Sequence, residues 1–338
     1  SVTVTDSKGC TTTCNVLITE PGALFCSVIM DSPVVCFGEA NGVATVTATE
    51  GVAPYSFAWD NGETTQTATI LSAGLHSVTV TDANGATTTC DITITQPNVL
   101  AASAVENSPV VCNGENNGSA TVTVTGGNAP YSYVWDNSAS AAATANDLVA
   151  GLHTITITDN KGCTTTTTVT INEPEVLAAS AVENSPVVCN GENNGSATVT
   201  VTGGNAPYSY VWNNSASAAA TANDLVAGLH TITITDNKGC QTSATVTINE
   251  PEVLTCNANQ DSPVTINGNS DGAATVTPAG GNGGYTYSWD NGETTATATA
   301  LSAGSHSVTV TDSKGCTTTC NVLITEPGAL FCSVIMDS

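Results

Sequence analysis

The sequence predicts an all-β protein built as a row of small sandwiches, and three observations carry that reading. The text repeats: Trp59, Trp135, Trp212 and Trp289 stand 76, 77 and 77 residues apart, and Pro21, Pro97, Pro174, Pro251 and Pro327 keep step with them. A fixed period of this size marks a modular array. Within each period, runs such as SATVTVT and HTITITD alternate small apolar residues with Thr, the period of half-buried strands. Turn signals rich in Gly, Asn and Asp separate the runs, and no helical stripe occurs.

The period divides the chain into 1–21, the last strands of a truncated unit; 22–97, repeat 1; 98–174, repeat 2; 175–251, repeat 3; 252–327, repeat 4; and 328–338, the start of another unit. In repeat 2, a first strand is expected over 99–105, followed by a loop holding Gly114 and Gly118. A second strand covers 119–125, and GGNAP makes a turn. YSYVW, 131–135, is the third strand, with Trp135 as core anchor. A short polar segment and ATANDL together suggest two short strands. GLHTITITD, 151–159, and CTTTTTVTI, 163–171, close the unit around a tight DNKG turn. Six or seven short strands with frequent turns predict a β-sandwich of the immunoglobulin type, and the tandem text predicts a head-to-tail rod of them.

Residues 1–32 are identical to 307–338, an offset of 306, the length of four units. The expectation is a longer polypeptide continuing in both directions.

Composition narrows the function classes. With 29 Asp+Glu against 4 Lys+Arg, the formal charge is −25. Such a surface repels nucleic acid and anionic lipid. Hydrophobic content of 40% in regular alternation argues for folded domains over disorder. No apolar run approaches the ~18 residues of a membrane helix, so no membrane insertion is expected in this stretch. Thirteen cysteines in units with thin cores point to an oxidising, extracellular compartment.

The motifs CNGENNGSATVTV, GGNAPYSYVW and AGLHTITITDNKGC of repeat 2, with their counterparts in the other units, resemble the SprB-type repeat of Bacteroidetes surface proteins. The resemblance covers all four units. It implies a secreted, filamentous cell-surface protein, in the best-known case an adhesin used in gliding. His76, His153, His230 and His306 stand where members of that family usually carry Tyr, a change expected to alter the surface of that strand and not the frame.

The cysteines are the informative chemistry. Cys26 and Cys90 are present together in repeat 1, as are Cys256 and Cys320 in repeat 4; both places are empty in repeats 2 and 3. Bridges within a domain, Cys26–Cys90 and Cys256–Cys320, follow. Cys36, Cys112 and Cys189 in the first loop match Cys163, Cys240 and Cys316 of the following unit, giving interdomain bridges Cys36–Cys163, Cys112–Cys240 and Cys189–Cys316. The open pair is Ile266 with the place held by Ala86. Strand parity bears on this scheme: seven strands put the first loop and the last turn at opposite ends of the sandwich, as interdomain bridging needs. Six strands put them at one end and make Cys112–Cys163 the bridge. The interdomain scheme is the expectation and Cys112–Cys163 its alternative. Cys10, Cys14 and Cys332 are left unpaired through truncation. A four-thiolate zinc site lacks the second close cysteine pair that it requires.

Calcium is a possible cofactor at the unit junctions, with Asp159, Glu173, Asp236 and Glu250 as weak ligand candidates; no EF-hand loop accompanies them, and solvated turn carboxylates are the alternative. Lys8, Lys161, Lys238 and Lys314 share one turn and are read as exposed. The Thr rows suit glycan attachment or ice binding, but outward Thr with inward Val or Ile is ordinary sandwich patterning. The four His lie one per unit, and no nucleophile elbow, zincin motif or phosphate loop occurs, so no enzyme is expected. The expected function is a non-enzymatic, load-bearing, disulfide-stabilised repeat region of an extracellular filament. Its expected partners are copies of itself along or beside the fibre, with a surface glycan as a further candidate. The alternatives are the stalk of a gliding adhesin with a separate head, or a calcium- or glycan-binding module.

Overall fold

The structure, a computed structural model, describes residues 1–332, and among them there is no helix. Two short strands, β1 (Val2–Thr5) and β2 (Thr11–Cys14), pair as a hairpin ahead of repeat 1. Repeat 1 follows with β3 (Phe25–Ser32), β4 (Ala40–Thr49), β5 (Ser56–Trp59), β6 (Thr67–Ser72), β7 (Gly74–Thr81) and β8 (Thr87–Ile94). Repeat 2 has β9 (Ala101–Ser108), β10 (Gly118–Thr125), β11 (Tyr131–Trp135), β12 (Thr144–Leu148), β13 (Gly151–Asp159) and β14 (Thr164–Ile171). Repeat 3 runs through β15 (Ala178–Ser185), β16 (Gly195–Thr202), β17 (Tyr208–Trp212), β18 (Thr221–Leu225), β19 (Gly228–Asp236) and β20 (Gln241–Ile248). Repeat 4 closes with β21 (Thr255–Ser262), β22 (Gly272–Ala279), β23 (Thr286–Trp289), β24 (Thr297–Leu301), β25 (Gly304–Thr311) and β26 (Thr317–Ile324).

Each repeat is two three-stranded antiparallel sheets; in repeat 2 the orders are β9-β10-β12 and β11-β13-β14. Alternation places the side chains. Ile155 and Ile157 of β13 point inward and are fully buried, with Trp135, Leu148 and Ile171 around them. Burying an Ile or Leu this way contributes about 1.5–3 kcal/mol. The Thr residues between them face outward, opposite those of β14 in pairs such as Thr156 and Thr166.

The strand count is six, yet the parity expected from six fails, and the reason is a change of sheet. β11 pairs with the second half of β13, from Tyr131–Asp159 to Trp135–Ile155. β12 pairs with the first half of β10, from Thr144–Thr121 to Leu148–Gly118. Both are antiparallel to their partners, so β11 and β12 run in one direction and together span the height of one long strand. The chain crosses from sheet to sheet after Trp135, whose Nε1 donates to the carbonyl of Ala142 at 3.1 Å. The sandwich therefore makes five passes, an odd number. Its first loop lies at the trailing end and its last turn at the leading end. The polar segment and ATANDL together hold one strand, not two, because this half-height segment completes β11 instead of turning back.

The chain leaves each repeat through a short linker that folds onto the next. The Gly127 N–H donates to Asn98 O, and a Cβ on Gly126 would meet the Val99 carbonyl oxygen at 1.9 Å. At φ +72°, that position also favours glycine. By compactness the chain divides into two units: Ser1–Val110 with Gly114–Glu173, and Val111–Asn113 with Pro174–Ser338. The first holds repeats 1 and 2. The second holds repeats 3 and 4 together with three residues from the first loop of repeat 2.

Candidate functional site: the cystine joints

The joint between repeats 1 and 2 is built from two backbone devices that face each other. The first loop of repeat 1 is shaped by Asn41, whose Oδ1 accepts the Val35 N–H at 2.8 Å, and by Val34, buried with its N–H on Thr95 O. Gln96 Oε1 accepts the Gly38 N–H at 2.9 Å, so the loop is tied to the segment after β8. This fixes Cys36 at the trailing end. The last turn of repeat 2 is organised by Asp159. Its Oδ1 accepts the N–H of Lys161 and Cys163, and its Oδ2 accepts the N–H of Asn128. The carboxylate thus fastens the turn before β14 to the turn before β11. Cys163 is presented at the leading end of repeat 2.

Cys36 and Cys163 are disulfide-bonded, Cα to Cα 5.7 Å. Asn128 works beside them: its Nδ2 donates to Val35 O of repeat 1 at 3.1 Å and to Asp159 Oδ2 at 3.1 Å. The second compact unit repeats the arrangement. Cys189 bonds Cys316, and Asn282 donates to Val188 O and Asp312 Oδ2. In the same unit Cys112, in the loop segment Val111–Asn113, bonds Cys240, and Asn205 donates to Val111 O and Asp236 Oδ2. The Asn was not singled out in the sequence. A signal existed: repeat 1, with Ala86 in the Cys place, also has Val52 in the Asn place.

Cys26–Cys90 joins β3 to β8 and Cys256–Cys320 joins β21 to β26, each within one sandwich. Cys10, Cys14 and Cys332 are free and exposed.

The carboxylates considered for calcium have other work. Burial pushes Asp159 up, but the amides of Asn128, Lys161 and Cys163 outweigh it and hold the carboxyl below its ordinary value. Asp236 behaves likewise with Asn205, Lys238 and Cys240. Asp312 falls to about 2, burial being outweighed by both amide groups of Asn282 and those of Lys314 and Cys316. Glu173 and Glu250 lie at the trailing ends, accepting the N–H of Gly114 and Gly191. Among the described residues no cluster of three or more His, Cys, Asp or Glu is arranged to hold a metal ion. The turn lysines are exposed.

The histidines correct the expectation of a surface change. His153 and His230 are 1% exposed and His76 8%. Each points inward and donates from Nε2 to a carbonyl one tight turn back: Ser72, Val149 and Val226 for these three, and Ser302 for the half-buried His306. Nδ1 meets a carboxylate in three repeats, Asp60, Asp136 and Asp290; in repeat 3 it meets the backbone carbonyl of Asn213.

Comparison with known families finds the SprB repeat at four places, residues 32–64, 104–140, 181–217 and 258–294. No curated relative matches the chain. Among solved structures, a tetra-tandem repeat from the extending region of a large adhesion protein is 15% identical with TM-score 0.26, covering 88% of this chain and 98% of that one. Invasin, a bacterial integrin-binding protein, is 14% identical with TM-score 0.35, over 89% and 79%. The human desmocollin-1 ectodomain is 13% identical with TM-score 0.26, over 89% and 78%. At those scores none of the three carries an argument about this chain.

Proposed function

We propose, from the premise that this chain is an array carrying four SprB repeats, that it is the structural region of a long extracellular filament or adhesin stalk at a cell surface, and that its work is to carry tension without lengthening. The observation behind this reading is that the interdomain bridges overlap. Cys36–Cys163, Cys112–Cys240 and Cys189–Cys316 each reach past the start of the next. A covalent bypass results. From Cys36 it crosses to Cys163, follows the backbone to Cys189, and crosses to Cys316. The backbone part of this route is about 26 residues, ~90 Å when taut, against about 280 residues and ~950 Å for the chain without bridges. Unfolding a sandwich between these points releases almost no length while the cystines hold.

The reading is non-enzymatic and needs no resident cofactor. The engagement of Asp159, Asp236, Glu173 and Glu250 by backbone amides supports that part of it. Cystines at every joint within the array suit an oxidising exterior. Partners would be further copies, in line or side by side.

Pulling single molecules by their ends tests the reading. The oxidised chain is expected to give no length gains of a whole repeat between Cys36 and Cys316. The reduced chain is expected to give stepwise gains of roughly 77 residues, ~270 Å of contour each. Steps of full repeat length in the oxidised chain would remove the proposal. Calcium chelation is expected to leave thermal unfolding unchanged; a clear downward shift would favour the calcium-binding alternative.

A further inference from the structure

The lysines of the chain share one relation to its cysteines. Lys8, Lys161, Lys238 and Lys314 each stand two residues before a cysteine, in the text Lys-Gly-Cys, and there is no arginine. The last turn that lacks the cysteine reads Asn84-Gly85-Ala86, so the lysine is missing where the cysteine is missing. The turn itself does not call for lysine. Asp82 accepts the N–H of Asn84 and Ala86 just as Asp159 accepts those of Lys161 and Cys163. All four lysines are exposed. Among the described residues the ion pairs are those of His76, His153 and His306, and none involves a lysine.

That unpaired charge lies close to sulfur. Two residues apart, the Cα atoms of Lys161 and Cys163 are separated by at most about 7 Å. The Debye length at physiological ionic strength is about 8 Å, so the charge is felt there. An ammonium nearby favours a cysteine's thiolate over its thiol. Both cysteines of the bridge also line a cleft of about 360 Å³, with Glu39, Leu100 and Gly162 as further walls. The joint between repeats 3 and 4 has its counterpart, about 340 Å³, walled by Cys189, Cys316, Glu192, Leu254 and Gly315. A small organic thiol fits such a volume. The cystine within repeat 4 differs on both counts. Cys320 belongs to the core with Trp289 and Val308, and the residue two before it is Thr318. Exposure does not separate the two kinds, since Cys240, Cys316 and Cys320 are each 9% exposed.

We propose that the joint cystines are thiol–disulfide exchange sites, where an organic thiol or disulfide enters the cleft and the lysine stabilises the thiolate of the cysteine two residues on. In the opening direction the thiolate of an added thiol attacks Cys36 Sγ. A bond to Cys36 forms as the Cys36–Cys163 bond breaks, and the electron pair leaves on Cys163 as a thiolate beside Lys161. A second thiol group displaces Cys36 from the mixed disulfide. Two thiols thereby become one disulfide, and their protons end on Cys36 and Cys163. Closing is the reverse, with an organic disulfide as the oxidant. Lys161, Lys238 and Lys314 are positioning residues in this scheme, acting through the cysteine. A joint can then be locked after its sandwiches fold and reopened without unfolding them. The inference stands on the joints alone, and its failure would leave the tension-bearing role untouched.

The test treats the native, oxidised full chain with dithiothreitol at neutral pH. Samples are quenched with iodoacetamide at intervals, and each bridge is read by peptide mass spectrometry at a cysteine of unique context: Cys36, Cys163, Cys240 and Cys256. Cys36–Cys163 is expected to open at least about tenfold faster than Cys256–Cys320, which has neither cleft nor lysine. In Lys161→Gln, Cys36–Cys163 is expected to open about threefold more slowly, the scale of one unit charge a few ångströms away in water. Cys112–Cys240 in the same molecule should keep its rate, and Lys161→Arg should restore that of Cys36–Cys163. A lysine that merely supported the turn would loosen it when removed and speed the opening, so the sign separates the two roles. An unchanged or faster rate in Lys161→Gln, no rescue by arginine, or Cys256–Cys320 opening first would overturn the proposal.

Discussion

Repeats 1 and 4 differ from repeats 2 and 3 in the core, and the difference beside the first and last strands shows how this sandwich fills space. In repeats 1 and 4 a cystine joins the first and last strands, and the residue paired with its last-strand cysteine is Val: Val78 opposite Cys90, Val308 opposite Cys320. In repeats 2 and 3 the cystine is absent and the same place holds Ile: Ile155 opposite Thr167, Ile232 opposite Ala244. All four side chains are fully buried. A cystine beside a smaller neighbour, or no cystine beside a larger one, fills this part of the core. The two solutions are not equal in energy. A bridge closing about 64 residues contributes ~4 kcal/mol on the chain-entropy model, whereas one added methylene contributes ~0.8 kcal/mol.

The comparison can be broken most forcefully by removing the bridge. Cys256→Ala with Cys320→Ala is expected to destabilise repeat 4 by about 4 kcal/mol while hydrogen exchange in repeats 2 and 3 is unchanged. A sharper test uses Val308→Ile in two backgrounds. With the bridge present it should overpack the core and destabilise by ~1–3 kcal/mol; without the bridge it should fill the space and stabilise by about 1 kcal/mol. The same sign in both backgrounds would end the volume argument. At the joints, Asn205→Val leaves the cystine intact and removes the amide's hydrogen bonds to Val111 and Asp236. The expected loss is ~1 kcal/mol, read from chemical denaturation.

The smallest expected effect depends on pH and is read in repeat 4. Burial pushes His306 toward neutrality, but the Asp290 carboxylate and the Ser302 carbonyl outweigh it and raise its pKa. A raised value means that the pair's contribution is complete below the unfolded pKa of about 6.5 and fades as pH rises through the folded value. NMR titration of the ring should show His306 holding its proton to higher pH than an unperturbed histidine, and Asp290→Asn should remove the difference. At the acid end the turn carboxylates act in the opposite sense. Asp312, folded at about 2, contributes above the unfolded value of about 3.9 and loses its contribution as pH falls toward 2, so the last turn of repeat 4 should loosen in that window.

Much of this was legible in the sequence because the chain writes its pattern four times. Strand alternation and the vacancies in the cysteine series point to the sandwich and to the pairing of one unit with the next. Parity left two bridging schemes open, because ATANDL reads as strand but nothing local says which sheet it joins; the chain changes sheet after Trp135, whose Nε1 reaches Ala142 O. Asn128 was opaque for a different reason, its partner Val35 lying 93 residues away. The burial of His153 could have been read, since it falls in phase with Ile155 and Ile157 on one strand and so faces inward with them.

The claim that successive sandwiches are bolted together through the first loop and the following last turn is tested most directly by mapping the cystines of unreduced native material. Acid-specific proteolysis isolates Cys36 within its own context, VVCFGE. The account expects that peptide to be joined to the one carrying Cys163. Cys36 joined to Cys10, or recovered as a free thiol, would contradict it.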